Sequence, residues 1–164
     1  MTTTVLRPMT EADVPIVSAI WAAAWRDGHA GHVDAALEEI RTPESFVPRA
    51  ARRVPRTVVA EQGDHVVGFA TVAGNEVEEL FVDGRARGTG IAIALLRDAE
   101  ERIASGGWSD GWLAVVSGNA RARRFYEREG WRDAGPLIYA AEGSDGPVLV
   151  PSRRYERRLM AGRG

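Results

Sequence analysis

A glycine-rich turn spans residues 83–90, between an apolar strand segment and an amphipathic helix segment, and it reads Asp-Gly-Arg-Ala-Arg-Gly-Thr-Gly. A turn that opens a helix presents unpaired backbone N–H groups at the positive end of the helix dipole, and this geometry binds phosphate without special side chains. Gly88 and Gly90 allow close approach to the backbone, and Ala92 keeps the first helical turn small. The segment therefore predicts a phosphate-binding loop.

Two common phosphate-binding loops do not fit this turn. A P-loop requires Gly-Lys-[Ser/Thr], whereas all 21 basic residues of this chain are Arg. The absence of Lys also excludes Schiff-base chemistry and a lysine general base. A dinucleotide-binding fingerprint that starts at Gly88 needs a third glycine at position 93, which is Ile93, and an acid after the next strand, which ends in Ser117-Gly118.

The turn instead resembles the [Q/R]-x-x-G-x-[G/A] pyrophosphate loop of the GNAT superfamily of acyl-CoA-dependent N-acyltransferases. The matching residues are Arg87, Gly88, Thr89, Gly90, Ile91 and Ala92. A second segment is similar to the superfamily's N-x-x-A-x-x-x-Y-x-x-x-G-[F/W] helix, through Asn119, Ala122, Tyr126, Gly130 and Trp131. Because both motifs occur in the superfamily's order, the resemblance is strong. It extends over essentially the whole chain and is specific over residues 76–132.

The resemblance implies acetyl-CoA as cosubstrate, bound without a metal ion. Residues 87–92 would bind its pyrophosphate, and the backbone around Leu80 and Val82 would pair with the pantetheine arm in a gap between two strands, 76–82 and 112–116. Asn119 would contact CoA, although Asn at this place is also a strong helix N-cap. Tyr126 would be the general acid that protonates the departing thiolate. Its alternative role is packing on an amphipathic helix.

A general base is the least determined part of this chemistry. By resemblance, Glu76 stands where some superfamily members have a catalytic Glu. Strict strand alternation places Glu76 and Glu78 on one face and Glu79 on the other. A β-bulge would make Glu79 the alternative base. Each glutamate can equally be a solvated charge at the end of a strand.

Other polar and aromatic residues have both a functional and a structural interpretation. His29 and His32 fall in the predicted loop between the first two helices, where surface histidines are commoner than bases. Trp21 and Trp25 are spaced as a core stripe, and one of them is expected to line the acceptor pocket. A run of arginines on the last helix is expected to be a solvated face that alternatively reaches the CoA phosphates, and it comprises Arg121, Arg123, Arg124 and Arg128.

The elements that position these residues follow in the order strand, two helices, three strands, helix, strand, helix and two strands. This order predicts a mixed sheet with helices on both faces, in which strands 76–82 and 112–116 are parallel. Together with the resemblance, it predicts an α/β (α+β mixed) fold with a GNAT-type central mixed, mostly antiparallel sheet of about six to seven strands.

Composition sets the outer limits. A chain of 164 residues with 45% hydrophobic and 27% charged residues predicts one globular domain, 1–164. It has no Cys, which excludes disulfides, Cys-based zinc sites and an acetyl-cysteine intermediate. A net charge of -2 argues against a dedicated nucleic-acid binder. No apolar run is long enough to span a bilayer, and Met1–Thr4 shows no secretory pattern, so a cytoplasmic protein is expected.

These observations together predict an N-acetyltransferase. The acetyl group of acetyl-CoA would pass to a primary amine of a small molecule or peptide, by direct attack in a ternary complex. The alternatives are a non-catalytic CoA-binding sensor or interaction module and, last on net charge, an Arg-rich nucleic-acid adaptor. Residues 20–55, which would choose the acceptor, match no specific pattern. Pairing through the final strands or helices would give a homodimer.

Overall fold

The computed structural model describes residues 3–143 and 145–159. The other residues of the predicted domain, Ser144 among them, lie outside that description. The strands are β1 (Thr4–Pro8), β2 (Thr57–Gln62), β3 (His65–Ala73), β4 (Glu76–Val82), β5 (Asp110–Val116), β6 (Arg132–Ala141) and β7 (Val148–Arg158). The α-helices are α1 (Val14–His29), α2 (Ala35–Ile40), α3 (Phe46–Arg53), α4 (Ile91–Ser105) and α5 (Ala120–Arg128).

The described strands form one seven-stranded sheet in the order β1-β2-β3-β4-β5-β7-β6. Neighbours are antiparallel except β4 and β5, which are parallel. The predicted mixed, mostly antiparallel sheet is therefore confirmed. The last two strands, β6 and β7, pair with each other, but the sequence did not indicate that β7 inserts between β5 and β6.

Helices cover both faces of the sheet because each carries one apolar stripe. On one face, α1 and α3 bury Trp21 and Phe46 against Phe69 of β3. On the other face, α4 and α5 pack with Leu113 of β5, and Tyr126 of α5 belongs to this second core cluster. The predicted stripe of α4 is fully buried, at Ile91, Leu95, Ala99 and Ile103. Burying each of the three larger side chains, Ile91, Leu95 and Ile103, contributes about 1.5–3 kcal/mol to folding.

The parallel pair β4–β5 is joined at a single register position, Glu76 opposite Trp112. The whole of β5, from Asp110 to Val116, pairs instead with β7 on its other side. Beyond Glu76 the two parallel strands therefore diverge, and one edge of β4 has no strand partner. This is the gap that the sequence placed between these strands.

Strand β4 also contains a β-bulge. Thr71 of β3 lies opposite Glu79, whereas the next residue, Val72, lies opposite Val77, so Glu78 is the extra residue. A bulge breaks strict alternation and redirects the side chains that follow it. Strict alternation would place Glu79 on the opposite face of the sheet from Glu76 and Glu78. The bulge removes that separation.

Candidate active site

Two cavities meet in the gap between β4 and β5. The first, of about 480 Å³, borders the glycine-rich turn and is called here the glycine-loop cavity. The second, of about 250 Å³, borders the glutamates of β4 and is called the glutamate cavity. Their shared wall consists of Leu80, Phe81, Asn119, Ala122 and Tyr126. The predicted site residues are therefore brought together around one junction.

The glycine-loop cavity is lined by the turn and the first residues of α4. Gly88 and Gly90 adopt left-handed backbone conformations, with φ of +79° and +84°, which disfavour any residue with a Cβ. Gly90 is the N-cap of α4 without a side-chain cap hydrogen bond, so the first backbone N–H groups of the helix are available to a ligand. Arg87, Ile91, Ala92 and Val82 also line this cavity.

Among residues 87–92, which were predicted to bind the pyrophosphate, only Thr89 does not line the cavity. Its hydroxyl donates a hydrogen bond to the backbone oxygen of Ala86, which closes the turn onto itself. Arg87, in turn, forms an ion pair of 3.0 Å with Asp27 of α1. These contacts join the turn to itself and to α1.

The arginines of α5 divide into two groups. Arg121, Arg124 and Arg128 line the glycine-loop cavity, because spacings of three and four residues place them on one helix face. Among the described residues, no carboxylate pairs with these three side chains. Arg123 points elsewhere and hydrogen-bonds Tyr155 Oη at 3.2 Å and Asp133 at 3.3 Å. All four arginines were expected to lie on one solvated helix face. Their spacing along the sequence is the signal that separates Arg123 from the other three.

Asn119 caps α5 and lines both cavities. Its Oδ1 accepts the backbone N–H of Ala122 at 3.2 Å. Its Nδ2 lies against α1, where a Cβ built on Gly28 would be only 2.8 Å away. The side-chain oxygen of Asn119 therefore acts as the helix cap. The same side chain lines the junction of the two cavities, so capping does not conflict with a contact to CoA.

Tyr126 is buried, with 8% of its surface exposed, and stands in the shared wall. Its ring packs edge-on against Phe125 and Trp131, at 5.1 and 6.3 Å between ring centroids. Burial raises the pKa of its phenol well above the usual value. The hydroxyl therefore keeps its proton throughout the neutral pH range and can donate it.

All three glutamates of β4 line the glutamate cavity, which the bulge at Glu78 permits. Glu79 is 9% exposed, its Oε1 lies 3.4 Å from Arg53 Nε, and its Oε2 has no hydrogen-bond partner. Burial raises the pKa of Glu79 to about 7. Glu76 accepts a hydrogen bond of 2.9 Å from Tyr139 Oη, and burial raises its pKa as well. Glu78 pairs with Arg53 and Arg56.

Residues that the sequence analysis did not single out complete the glutamate cavity. They are Arg41, Arg49, Arg53, Tyr139 and Glu142. Glu142 forms ion pairs with Arg49, Arg52 and Arg53. Although burial alone would raise it, the hydrogen bond from Arg53 and the surrounding positive charge lower the pKa of Glu142 to about 2. No local pattern marks these residues, because they come from segments about 90 residues apart.

The histidines and tryptophans differ from their predicted places. His29 is the last residue of α1 rather than a loop residue, and it lines the glutamate cavity with its ring stacked on Trp25 at 5.0 Å. The predicted loop position is therefore wrong for His29, which is half-buried at the cavity, and its role stays a prediction. Burial lowers its pKa to about 4. His32 is exposed, as expected, with its ring against Gly118. Both Trp21 and Trp25 line the cavity, not one of them.

No group of three or more His, Cys, Asp or Glu side chains within residues 3–143 and 145–159 is arranged to hold a metal ion. In the same part of the chain, no helix has the length and apolar character needed to cross a membrane.

Comparison with known proteins gives one family and one fold. The family described as "Acetyltransferase (GNAT) domain" matches residues 19–144. The chain is similar to a crystal structure of a GCN5-related N-acetyltransferase from Rhodopseudomonas palustris, with 20% identity, a TM-score of 0.75 and coverage of 97% of this chain and 98% of that chain. A ribosomal-protein-alanine N-acetyltransferase from Brucella melitensis has 23% identity, a TM-score of 0.71 and coverage of 94% and 99%.

A third similar structure contains coenzyme A. It is the PaiA N-acetyltransferase from Thermoplasma acidophilum, with 17% identity, a TM-score of 0.69 and coverage of 96% of this chain and 99% of that chain. At these identities the structural likeness concerns the fold. The match to the family rests on the sequence itself.

Proposed function

The chain belongs to the acetyltransferase (GNAT) domain family, and on that premise we propose that it transfers the acetyl group of acetyl-CoA to a primary amine within a ternary complex. One observation carries the proposal: the glycine-loop cavity and the glutamate cavity meet at Tyr126, in the gap between β4 and β5. One cavity suits the cosubstrate, the other suits the acceptor, and the reaction takes place where they join. A cytoplasmic location and a homodimer remain predictions.

The glycine-loop cavity matches the chemistry of acetyl-CoA. The pyrophosphate would lie on the backbone N–H groups that follow Gly90, where the helix dipole favours negative charge. The unpaired edge of β4 around Leu80 and Val82 would hydrogen-bond the amides of the pantetheine arm as an added strand does. Arg121, Arg124 and Arg128 would contribute charge to the phosphates.

The transfer step requires one group that accepts a proton and one that donates a proton. We assign the accepting role to Glu79, because its Oε2 is unpartnered and its raised pKa, about 7, suits a base near neutral pH. Glu76 is the second candidate, with one oxygen already bound by Tyr139. The ammonium group of the acceptor gives its proton to this base, and the neutral nitrogen attacks the thioester carbon.

The attack forms the C–N bond and a tetrahedral intermediate, and collapse of that intermediate breaks the C–S bond. The departing thiolate takes the proton of the Tyr126 hydroxyl, which burial keeps protonated until that moment. The phenolate then regains a proton as the nitrogen of the product loses its second one. No acetyl-cysteine intermediate is available, because the chain contains no Cys.

The proposal is tested by measuring free CoA released from acetyl-CoA over a panel of amines. A thiol reagent is a clean readout, since the protein contributes no thiol of its own. We expect release that depends on both the enzyme and an amine. Calorimetric binding of CoA without release for any amine would instead support a non-catalytic CoA sensor, and absence of CoA binding would reject both functions.

A further inference from the structure

The glutamate cavity contains charges of both signs, and most of them are paired. Arg53 contacts Glu78, Glu79 and Glu142. Glu142 also pairs with Arg52 and Arg49. These contacts tie the end of β6 to α3 and to β4. They leave a small number of buried polar atoms without partners.

Two of the unpartnered groups are cationic. Arg41 is 8% exposed, forms no ion pair or side-chain hydrogen bond with any described residue, and has a buried Nε without a partner. Arg49 uses Nε for Glu142, at 3.3 Å, but its Nη1 is buried without a partner. Its guanidinium lies over the ring of Trp21, 4.3 Å from the centroid. Leaving such donors buried and unsatisfied costs about 1–3 kcal/mol each.

The charge on Arg41 is only partly compensated. Burial, together with the neighbouring charges of Arg49 and Arg53, lowers its pKa to about 10, and the carboxylate of Glu142 opposes this shift without cancelling it. A desolvated cation in this state gains more from an anion than an exposed arginine does. The two arginines thus keep buried N–H donors that Glu142 does not satisfy and that a further anion could satisfy.

The third unpartnered group in the cavity is anionic. Glu79 Oε2 is buried and accepts no hydrogen bond, and Glu79 lines the same cavity as Arg41 and Arg49. A buried carboxylate oxygen is satisfied by an N–H donor. The cavity therefore lacks one anion and one cationic donor at the same time.

From these unmatched groups we infer that the acceptor is a free α-amino acid, whose amine lies at Glu79 and whose carboxylate lies at Arg41 and Arg49. The inference rests on the proposed function only for the transfer step. A carboxylate matches the planar donors of arginine in shape and charge. The apolar part of the lining, with Trp21, Trp25, Leu37 and Val150, would take an apolar side chain.

Other amine classes fit the same atoms less well. A polyamine brings a second cation toward Arg41 and Arg49, where it would be repelled. The N-terminus of a peptide has an uncharged amide where the amino acid has its carboxylate. The polyamine offers the guanidinium groups no acceptor, and the peptide offers a neutral amide oxygen in place of a charged, bidentate carboxylate. A buried group that is left without its full partner is what gives a site strong discrimination.

The test compares matched acceptors that differ only at the carboxylate. We choose methionine, leucine and phenylalanine, each against its amide and its decarboxylated amine, with CoA release as readout. Since a hydrogen bond to a charged group contributes about 1.5–3 kcal/mol, the free amino acids should exceed their partners by about tenfold or more in kcat/KM. The amides stand in for peptide N-termini.

Variants locate the preference. Arg41→Met keeps the length of the side chain and removes the charge, so it should raise the KM for the amino acid about tenfold and leave the decarboxylated amine unchanged. Arg41→Lys keeps a cation at this position and should restore part of the preference. Arg132→Met is the control, because Arg132 is exposed on β6 and pairs with Glu156 outside both cavities. The ratio between two acceptors within one variant is insensitive to a general loss of folded protein.

The two proposals fail in different ways. If amides or decarboxylated amines are used as well as amino acids, the amino-acid inference is overturned while acetyl transfer stands. If no acceptor releases CoA, the proposed function fails, and calorimetry decides the inference separately. In that case, methionine binding to the CoA-saturated protein at least tenfold more tightly than its amide supports the site, and equal binding rejects it.

Discussion

The two cavities at the β4–β5 gap differ in the groups that line them. The glycine-loop cavity consists of the backbone of one turn together with exposed arginines of α5 that no described carboxylate pairs. The glutamate cavity consists of buried side chains that come from α1, the end of α2, α3, β4 and β6 and that largely pair with one another. One wall, with Tyr126 in it, is common to both.

This difference in material separates two kinds of recognition. Backbone N–H groups and solvated charges hold a phosphate with little dependence on neighbouring side chains, and salt screens the charged part. Buried, paired side chains discriminate by leaving a group unsatisfied when the wrong ligand enters. The first arrangement suits a cosubstrate shared by many enzymes, and the second suits an acceptor that must be selected.

The largest expected effect is at the wall that both cavities share. Tyr126→Phe keeps the buried ring and removes the proton donor, so we expect kcat to fall by about 100-fold or more, with the Kd for acetyl-CoA nearly unchanged. Steady-state kinetics at saturating substrates and calorimetry measure the two quantities. Tyr155→Phe is the matched control, because it removes a buried hydroxyl that bonds Arg123 outside both cavities. Unchanged kcat in Tyr126→Phe would remove Tyr126 from the mechanism.

The next effect concerns the glycine-loop cavity alone. Gly90→Glu places a negative charge beside the phosphates and a Cβ at a φ of +84°, and should weaken CoA binding about ten- to a hundredfold. Calorimetry measures the affinity. Gly107→Glu is the control, since Gly107 also has a positive φ, of +93°, with nothing within 4 Å of an added Cβ, and follows the opposite end of α4. Normal affinity in Gly90→Glu would count against the phosphate loop.

The same contrast explains what the sequence could and could not predict. The turn of the glycine-loop cavity was predictable because its residues are contiguous: a strand, a turn with two glycines and a helix start suffice to place the N–H groups of residues 87–92. The family was predictable for the same reason, and the match to residues 19–144 confirms it. The roles of Tyr126, Asn119 and the loop residues in catalysis and binding stay predictions.

The glutamate cavity was not predictable because its geometry arises from pairing between distant segments. Whether Glu79 shares a side with Glu76 depends on a bulge that exists only in register with Thr71 and Val72 of β3. Arg41 and Glu142 become candidates for a binding site only because α3, β4 and β6 line the same cavity in the folded protein. Likewise, the insertion of β7 between β5 and β6 leaves no local mark in either strand.

A pH profile addresses the glutamate cavity. The pKa of Glu79 is raised from the ordinary value of 4.5 to about 7, and a base acts in its ionised form. We therefore expect kcat/KM to rise with pH up to about 7, falling about tenfold per unit below it. Glu79→Gln should lose activity and also lose this limb of the profile, whereas Glu76→Gln should retain the limb. The reverse outcome would assign the base to Glu76.

Stability provides the control for Glu79→Gln. Because the folded protein binds this proton more tightly than the unfolded chain does, Glu79 stabilises the fold below a pH of about 4.5 and loses that contribution as the pH rises to about 7. At pH 8 the neutral amide should therefore leave the free energy of unfolding equal to or above that of the unmodified protein. Denaturant unfolding at about pH 8 measures it. A clearly lower value would mean that lost activity reflects lost packing.

The smallest effect tests the exposed charges of the glycine-loop cavity. Arg124 lines it without a carboxylate partner among the described residues, and a solvated contact of this kind contributes roughly 0.2–1 kcal/mol. Arg124→Gln should therefore weaken CoA binding about two- to fivefold at low salt, and less at about 0.5 M salt, where screening shortens the range of the charge. Arg132 pairs with Glu156 outside both cavities. Arg132→Gln should therefore leave the affinity for CoA unchanged at either salt concentration. Equal salt sensitivity of cosubstrate and acceptor binding would contradict the contrast between solvated and buried recognition, because buried pairs are screened much less.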